Sequence, residues 1–192
     1  MSHQKGIDGL PALVLTVSDG VVAGTREDLS GEVIEERLTG LGFTVSRAVV
    51  ADEPDDIGRL VSRAADAGTR LVVTSGGTGL GPRDRTPEGV TAVVDYVIPG
   101  FGEAMRAEGR AHTPLASLSR SLAAVRGQTL IICVPGSPRG ALESLEAVDK
   151  IHGHALDTLG RRTAHTKACC HEAGLIDSGT CSSQPWHWRG RT

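Results

Sequence analysis

Leu71–Pro87 reads LVVTSGGTGLGPRDRTP, and the fold turns on how that stretch is read. Leu71–Thr74 is a short, β-branched-rich apolar run, which predicts a strand covered on both faces. It passes directly into the polar, Gly-rich residues Ser75, Gly76, Gly77, Thr78 and Gly79. Thr86 followed by Pro87 predicts a helix start, with Thr86 as N-cap and Pro87 at the first helical position, leading into Val90, Val93 and Val94. Strand, loop and helix in succession are the alternation from which layered α/β domains are built.

The same alternation extends to both sides. Leu13–Val17 (LVLTV), Val45–Val50 (VSRAVV) and Leu130–Val134 (LIICV) predict three further strands. Leu29, Val33, Ile34 and Leu38 fall on one helical face, with Gly40 or Gly42 as the stop. Ile57, Leu60, Val61, Ala64 and Ala65 do the same and end at Gly68. Leu142, Leu145, Val148, Ile151, Ala155 and Leu159 predict a long helix after Ser137–Pro138. Strands joined by helices imply right-handed βαβ crossovers and a mostly parallel sheet.

A chain of 192 residues fits one domain with a sizeable core. Residues 1–10 are read as a flexible N-terminus, 11–160 as the domain, and 161–192 as a poorly ordered basic tail. That tail holds five Lys/Arg against two Asp/Glu, so it carries +3 and the remainder −6. An acidic body without basic and aromatic residues interleaved argues against nucleic acid as partner. No apolar run approaches the roughly 20 residues of a membrane span, and the N-terminal apolar stretch reads as a strand with no cleavage site after it. Cys133 sits in an apolar run and the other three cysteines in the tail, which is no disulfide framework, so the cytoplasm is the expected compartment. In the tail His165, Cys169, Cys170, His171 and Cys181 hint at metal, but their spacing fits no common zinc pattern.

Ligands of open α/β sheets bind at the carboxyl ends of the strands. Here each predicted strand runs into polar or Gly-rich residues: Ser18–Asp19–Gly20, Asp52–Glu53–Pro54, Ser75–Gly79 and Pro135–Gly136–Ser137–Pro138. Glycines let successive backbone N–H groups close on an anion, and Ser75 and Thr78 add hydroxyl donors. A plain tight turn is the competing reading. The loop is neither a Walker A motif nor a G-x-G-x-x-G fingerprint, because no Gly-Lys-Ser/Thr follows and Pro82 takes the last glycine position. Asp84, between Arg83 and Arg85, suits a Mg²⁺ ligand or a proton-transfer group, and equally a surface ion pair. Asp52 could cap the following helix, and Asp19 is similar. Together the aspartates offer what nucleotidyl transfer needs: groups that hold Mg²⁺ against a triphosphate. Ser137 and Pro138 read as N-cap and first helical position, and that helix N-terminus is also an anion site. Arg120, in Leu118–Ser119–Arg120–Ser121, could reach a phosphate or cover surface.

TSGGTGLGPRDRTPE, taken with YVIPGFGEAMR (Tyr96–Arg106), LSRS and the late VPGSP, resembles the Mog/MoaB family of molybdenum-cofactor biosynthesis proteins, to which the gephyrin G domain also belongs. The resemblance covers roughly residues 11–160. It implies a three-layer α/β/α domain assembling as a homotrimer, or a hexamer in the MoaB branch. It also implies adenylylation of molybdopterin by Mg-ATP, with release of pyrophosphate and hand-over to the molybdenum-insertion enzyme. The family's two critical aspartates fall on Asp52 and Asp84, the catalytic and Mg²⁺-holding candidates. Its substrate-binding loops fall on Ser75, Gly76, Gly77, Thr78 and Gly79 and on Gly136, Ser137 and Pro138, with Ser119 and Arg120 from LSRS. Its SD…D-x-S-G segment falls on Ser18, Asp19, Asp28, Ser30 and Gly31, and Gly20 departs from a position that is often larger or basic. The alternative within the family is a non-catalytic molybdopterin-binding or scaffold protein of the MoaB branch.

Overall fold

The computed structural model describes the backbone of residues 7–172 and the side chains of residues 7–160. The compact unit described here ends at Gly160. The expectations for the Cys/His-containing tail lie outside the described side chains, and beyond Glu172 outside the described backbone.

The elements in chain order are β1 (Pro11–Val17), α1 (Asp19–Val22), α2 (Leu29–Gly40), β2 (Thr44–Val50), α3 (Pro54–Asp66), β3 (Leu71–Ser75), α4 (Thr86–Thr91), β4 (Tyr96–Ile98), α5 (Pro99–His112), a 3₁₀ turn (Pro114–Leu118), β5 (Leu122–Arg126), β6 (Thr129–Val134) and α6 (Pro138–Glu172). They form one six-stranded sheet in the order β2-β1-β3-β6-β5-β4. The first four strands of that order are mutually parallel, and β5 and β4 complete the sheet antiparallel.

Alternation along each strand sorts side chains into two cores. Val14, Val73 and Ile132 face α2, α5 and α6 through Ile34, Leu38, Phe101, Met105 and Leu145. Leu15, Val72 and Ile131 face α3 and α4 through Ile57, Val61 and Val90. Helices on both faces make the three-layer α/β/α architecture, and every residue of β3 and β6 is buried. This is why those strands read as continuous apolar runs.

Three differences from the sequence reading have physical causes. Ile7 is buried in the first core, and the Gly9 N–H donates to the Gly42 carbonyl at 2.8 Å. Strands β4 and β5 lie outside the sequence expectation: β4 has only three residues before Pro99, and β5 is an Ala-rich LAAVR run with a single β-branched residue. Thr86 lies inside α4, with Arg85 at the N-cap, and its hydroxyl donates to the Gly76 carbonyl at 2.8 Å. That helix ends at Thr91, before Val93 and Val94, which pack on the second core. No helix among the described residues is long and apolar enough to cross a membrane.

His152 on α6 is 4% exposed, with Nδ1 3.2 Å from the Val148 carbonyl and its ring 6.2 Å from that of Phe43. Burial lowers its pKa below the ordinary 6.5; the nearby Arg37 adds to this and the Val148 carbonyl opposes it. The native state therefore holds it neutral, while the unfolded chain protonates it below about pH 6.5. Its contribution to stability is present above that pH and is lost as pH falls through it. Thermal melts from pH 7.5 to 5 should show a smaller decline for His152→Leu than for the wild type. Parallel declines would contradict this assignment.

Candidate functional site

Register places the site. Thr16, Ser75 and Val134 sit side by side across β1, β3 and β6, so the turns that follow open at one level. After β1, Ser18 Oγ accepts the Val21 N–H and caps α1. Asp19 and Asp52 then bond reciprocally, each backbone N–H to the other's carboxylate, at 2.9 and 3.0 Å, which ties the ends of β1 and β2. The Asp52 N–H and then Arg83 hold the Asp19 carboxyl below its usual range.

After β3, Gly76 and Gly77 take φ of +110° and +62°. A Cβ on Gly76 would lie 2.3 Å from the Val17 carbonyl oxygen. A Cβ on Gly77 would lie 2.4 Å from Thr86 Oγ1 and 3.4 Å from Asp52 Oδ1, so the Asp52 carboxylate stands over the glycine turn. The loop is held from outside itself. Ser75 Oγ donates to the Pro135 carbonyl at 3.2 Å, Arg120 N–H to Thr78 O at 2.8 Å, and Arg120 Nε to Gly79 O at 2.8 Å. Held open in this way, the N–H groups of Gly77, Thr78 and Gly79 donate to nothing among the described residues. Three successive unengaged donors are a set that can serve an anion.

Asp84 curls back under the loop, where its Oδ2 accepts the Gly81 N–H at 2.8 Å. After β6, a Cβ on Gly136 would lie 3.1 Å from Gly76 Cα, so this glycine pair lets the two turns touch. Ser137 Oγ accepts the Gly140 N–H and caps α6, as its sequence context predicts.

These turns wall a cleft of about 870 Å³, within the range of small-molecule sites. Ser18, Asp52, Ser75, Gly76, Gly77, Thr78, Gly79, Asp84, Ser119, Gly136, Ser137 and Pro138 all line it. Asp52 gives one oxygen to the Asp19 N–H and Asp84 gives one to Gly81, and among the described residues Oδ1 of each accepts no hydrogen bond.

The family model described as a probable molybdopterin binding domain matches residues 13–151. This chain belongs to that family. It is 42% identical over 139 residues to a molybdopterin adenylyltransferase of Helicobacter pylori, covering 70% of this chain and 79% of that one. It is 41% identical over 152 residues to a molybdenum cofactor biosynthesis bifunctional protein of Synechococcus elongatus. That match covers 79% of this chain but only 48% of the relative, so the chain spans about half of the bifunctional protein. The solved structure of the molybdopterin biosynthesis enzyme MoaB from Thermus thermophilus superposes with a TM-score of 0.74 at 47% identity, covering 78% of this chain and 96% of that one.

Four residues expected from the family motifs, Asp19, Asp28, Gly31 and Arg120, are not on the cleft wall. Asp19 turns its carboxylate to the Asp52 N–H and to Arg83. Arg120 spends its guanidinium on the Gly79 and Asp84 carbonyls and on Glu88. It braces the loop from behind. Arg120→Ala should therefore cost about 1–3 kcal/mol of stability by leaving part-buried carbonyls unpaired, and loosen the loop; urea titration reads the first effect. A variant as stable as the wild type would contradict the bracing role. Asp28 is also structural: it caps α2 through the Gly31 N–H, accepts from Thr16 Oγ1 and pairs with Arg47 at 2.6 Å. Gly31 leaves room for that cap, since a Cβ there would lie 2.2 Å from Asp28 Oδ2.

Sequence reasoning missed Arg26, Arg106, Glu143 and Ser144 on the wall. Arg106 was visible inside YVIPGFGEAMR, yet nothing local says that α5 turns its guanidinium onto the Ser119 and Ser121 carbonyls.

Proposed function

We propose that this chain is a molybdopterin adenylyltransferase, joining the terminal phosphate of molybdopterin to the adenylyl group of ATP. The observation that carries the reading is the set of unengaged N–H groups at Gly77–Gly79 with two carboxylates, Asp52 and Asp84, beside it in one cleft. In this reading the pterin phosphate sits on the glycine turn, with the α6 N-terminus at Gly136–Pro138 adding its partial positive charge. A phosphate oxygen attacks the α-phosphorus of ATP, the bond to the β-phosphate oxygen breaks, and pyrophosphate leaves. The protein's part is positioning and electrostatics rather than covalent chemistry.

Asp52 and Asp84 would hold Mg²⁺. The donor set fits, because Mg²⁺ takes one or two carboxylates and fills the rest of its shell with water and phosphate oxygens. Each aspartate keeps one oxygen free of internal hydrogen bonds for that use. The ion would supply charge neutralisation on the triphosphate. The assignment further carries a cytoplasmic homo-oligomer, trimeric or hexameric, passing its product to a molybdenum-insertion enzyme. The exposed Tyr96 and Val97 on the edge strand β4 support the oligomer. Label from α-³²P-ATP should appear in the pterin product with release of unlabelled pyrophosphate. Tight pterin binding with no label transfer would instead identify a non-catalytic binding protein.

A further inference from the structure

The cleft wall carries four carboxylates, Glu27, Asp52, Asp84 and Glu143, and only two cationic side chains, Arg26 and Arg106. Arg106 is committed to the Ser119 and Ser121 carbonyls. Just outside the wall, Arg83 is committed to Asp19 and Glu53, and Arg120 to the glycine loop and Glu88. Arg26 alone among the wall's cations makes no side-chain hydrogen bond or ion pair with the described residues. Its backbone, by contrast, is fixed. The Arg26 N–H donates to the Gly20 carbonyl at 3.1 Å, Thr25 bonds the same carbonyl through N–H and hydroxyl, and two residues later Asp28 anchors α2. Gly20 leaves space beside it: a Cβ there would meet Arg26 Cβ at 3.5 Å and Ser18 Oγ at 3.8 Å.

We infer that Arg26 is a binding residue for the β- and γ-phosphates of the nucleoside triphosphate, the part that leaves as pyrophosphate. This rests on the adenylyltransferase reading and names the protein group that takes its leaving portion. A guanidinium on a pinned backbone, with no internal partner, can bond a polyphosphate without first breaking a bond inside the protein. Its place is on the β1 side of the glycine turn, whereas the Gly136–Pro138 turn lies on the β6 side. The cleft therefore offers two separate anion holders, the loop N–H groups for one phosphate and Arg26 for the other. The excess of carboxylates on the wall makes a protein cation the more needed when a highly charged triphosphate enters.

The test compares wild type, Arg26→Ala and Arg26→Lys by calorimetric titration with Mg-pyrophosphate, inorganic phosphate and AMP. Arg26→Ala should weaken pyrophosphate about tenfold or more, the usual size of a charge-assisted contact. It should leave AMP and inorganic phosphate within about twofold, and Arg26→Lys should recover part of the loss. The Ala variant keeps the Cβ against Gly20 and breaks no internal bond, so its melting temperature should match the wild type. Equal pyrophosphate affinity in wild type and Ala variant, or a loss confined to inorganic phosphate, would overturn the inference. The label-transfer assay on the wild type judges the enzyme reading separately. Label transfer with unchanged pyrophosphate affinity in Arg26→Ala defeats only the role of Arg26. Arg26-dependent pyrophosphate binding without label transfer defeats only the turnover.

Discussion

Gly76→Ala is expected to be the most destabilising single change in the cleft, lowering stability by about 3 kcal/mol or more. Two independent penalties meet there. The φ of +110° lies in a region that side-chain-bearing residues rarely enter, and the new Cβ would stand 2.3 Å from the Val17 carbonyl oxygen. Nothing nearby can yield. Val17 is held in β1 between β2 and β3, and Gly76 N–H is bonded to the Val134 carbonyl at 3.2 Å. The turn after β6 packs close as well, since a Cβ on Gly136 would lie 3.1 Å from Gly76 Cα. For a chain of this size the melting temperature should fall by roughly 6–12 °C, and ligand binding should fall with it. Gly100→Ala is the matched control, because that glycine lies in α5 with open space around it, and its replacement should be neutral or mildly stabilising. Equal melting temperatures for the two variants would contradict the close-approach account of the loop.

The second large effect is on turnover rather than stability. Asp84→Asn keeps an oxygen that can accept the Gly81 N–H, so the loop's internal bond survives. The substitution removes the negative charge that would hold Mg²⁺ against the triphosphate. The expected result is a fall in adenylylation on the order of 10²–10³-fold, the scale seen when one preorganised electrostatic group is deleted. The unfolding free energy should stay within about 0.5 kcal/mol, because the substitution keeps the loop's internal bond and removes no buried group. Asp52→Asn should show a comparable loss of turnover with a larger cost in stability, since Asp52 also receives the Asp19 N–H. Full activity in Asp84→Asn would remove this residue from the chemistry.

The parts of this protein that were legible in sequence are those where one physical cause dominates. Three of the four parallel strands, β1, β3 and β6, read as apolar runs because helices cover both of their faces. The binding edge was readable because all four strands end in glycine, serine or aspartate, and the register brings those ends level. What stayed hidden depends on partners distant in the chain. Arg120 looked like a phosphate ligand, but its reach of 41 residues back to Gly79 makes it a brace. Thr86 has the composition of a helix cap, yet a carbonyl ten residues earlier is the better acceptor available to it. Asp19 and Asp28 carry the carboxylates that a ligand site needs, and both are occupied by backbone and arginine partners. Arg26 offers no periodic or motif signal at all. Its significance is that the other arginine on the cleft wall, Arg106, is already engaged.

A pterin phosphate and a nucleotide are expected to meet in the cleft where β1, β2, β3 and β6 end. A crystal structure with molybdopterin, a non-hydrolysable ATP analogue and Mg²⁺ tests it most directly. The predicted result places the pterin phosphate within hydrogen-bond distance of the Gly77–Gly79 N–H groups, with the metal bonded to Asp84 or Asp52. Pterin density anywhere outside this cleft, or a phosphate that ignores the glycine turn, would contradict it.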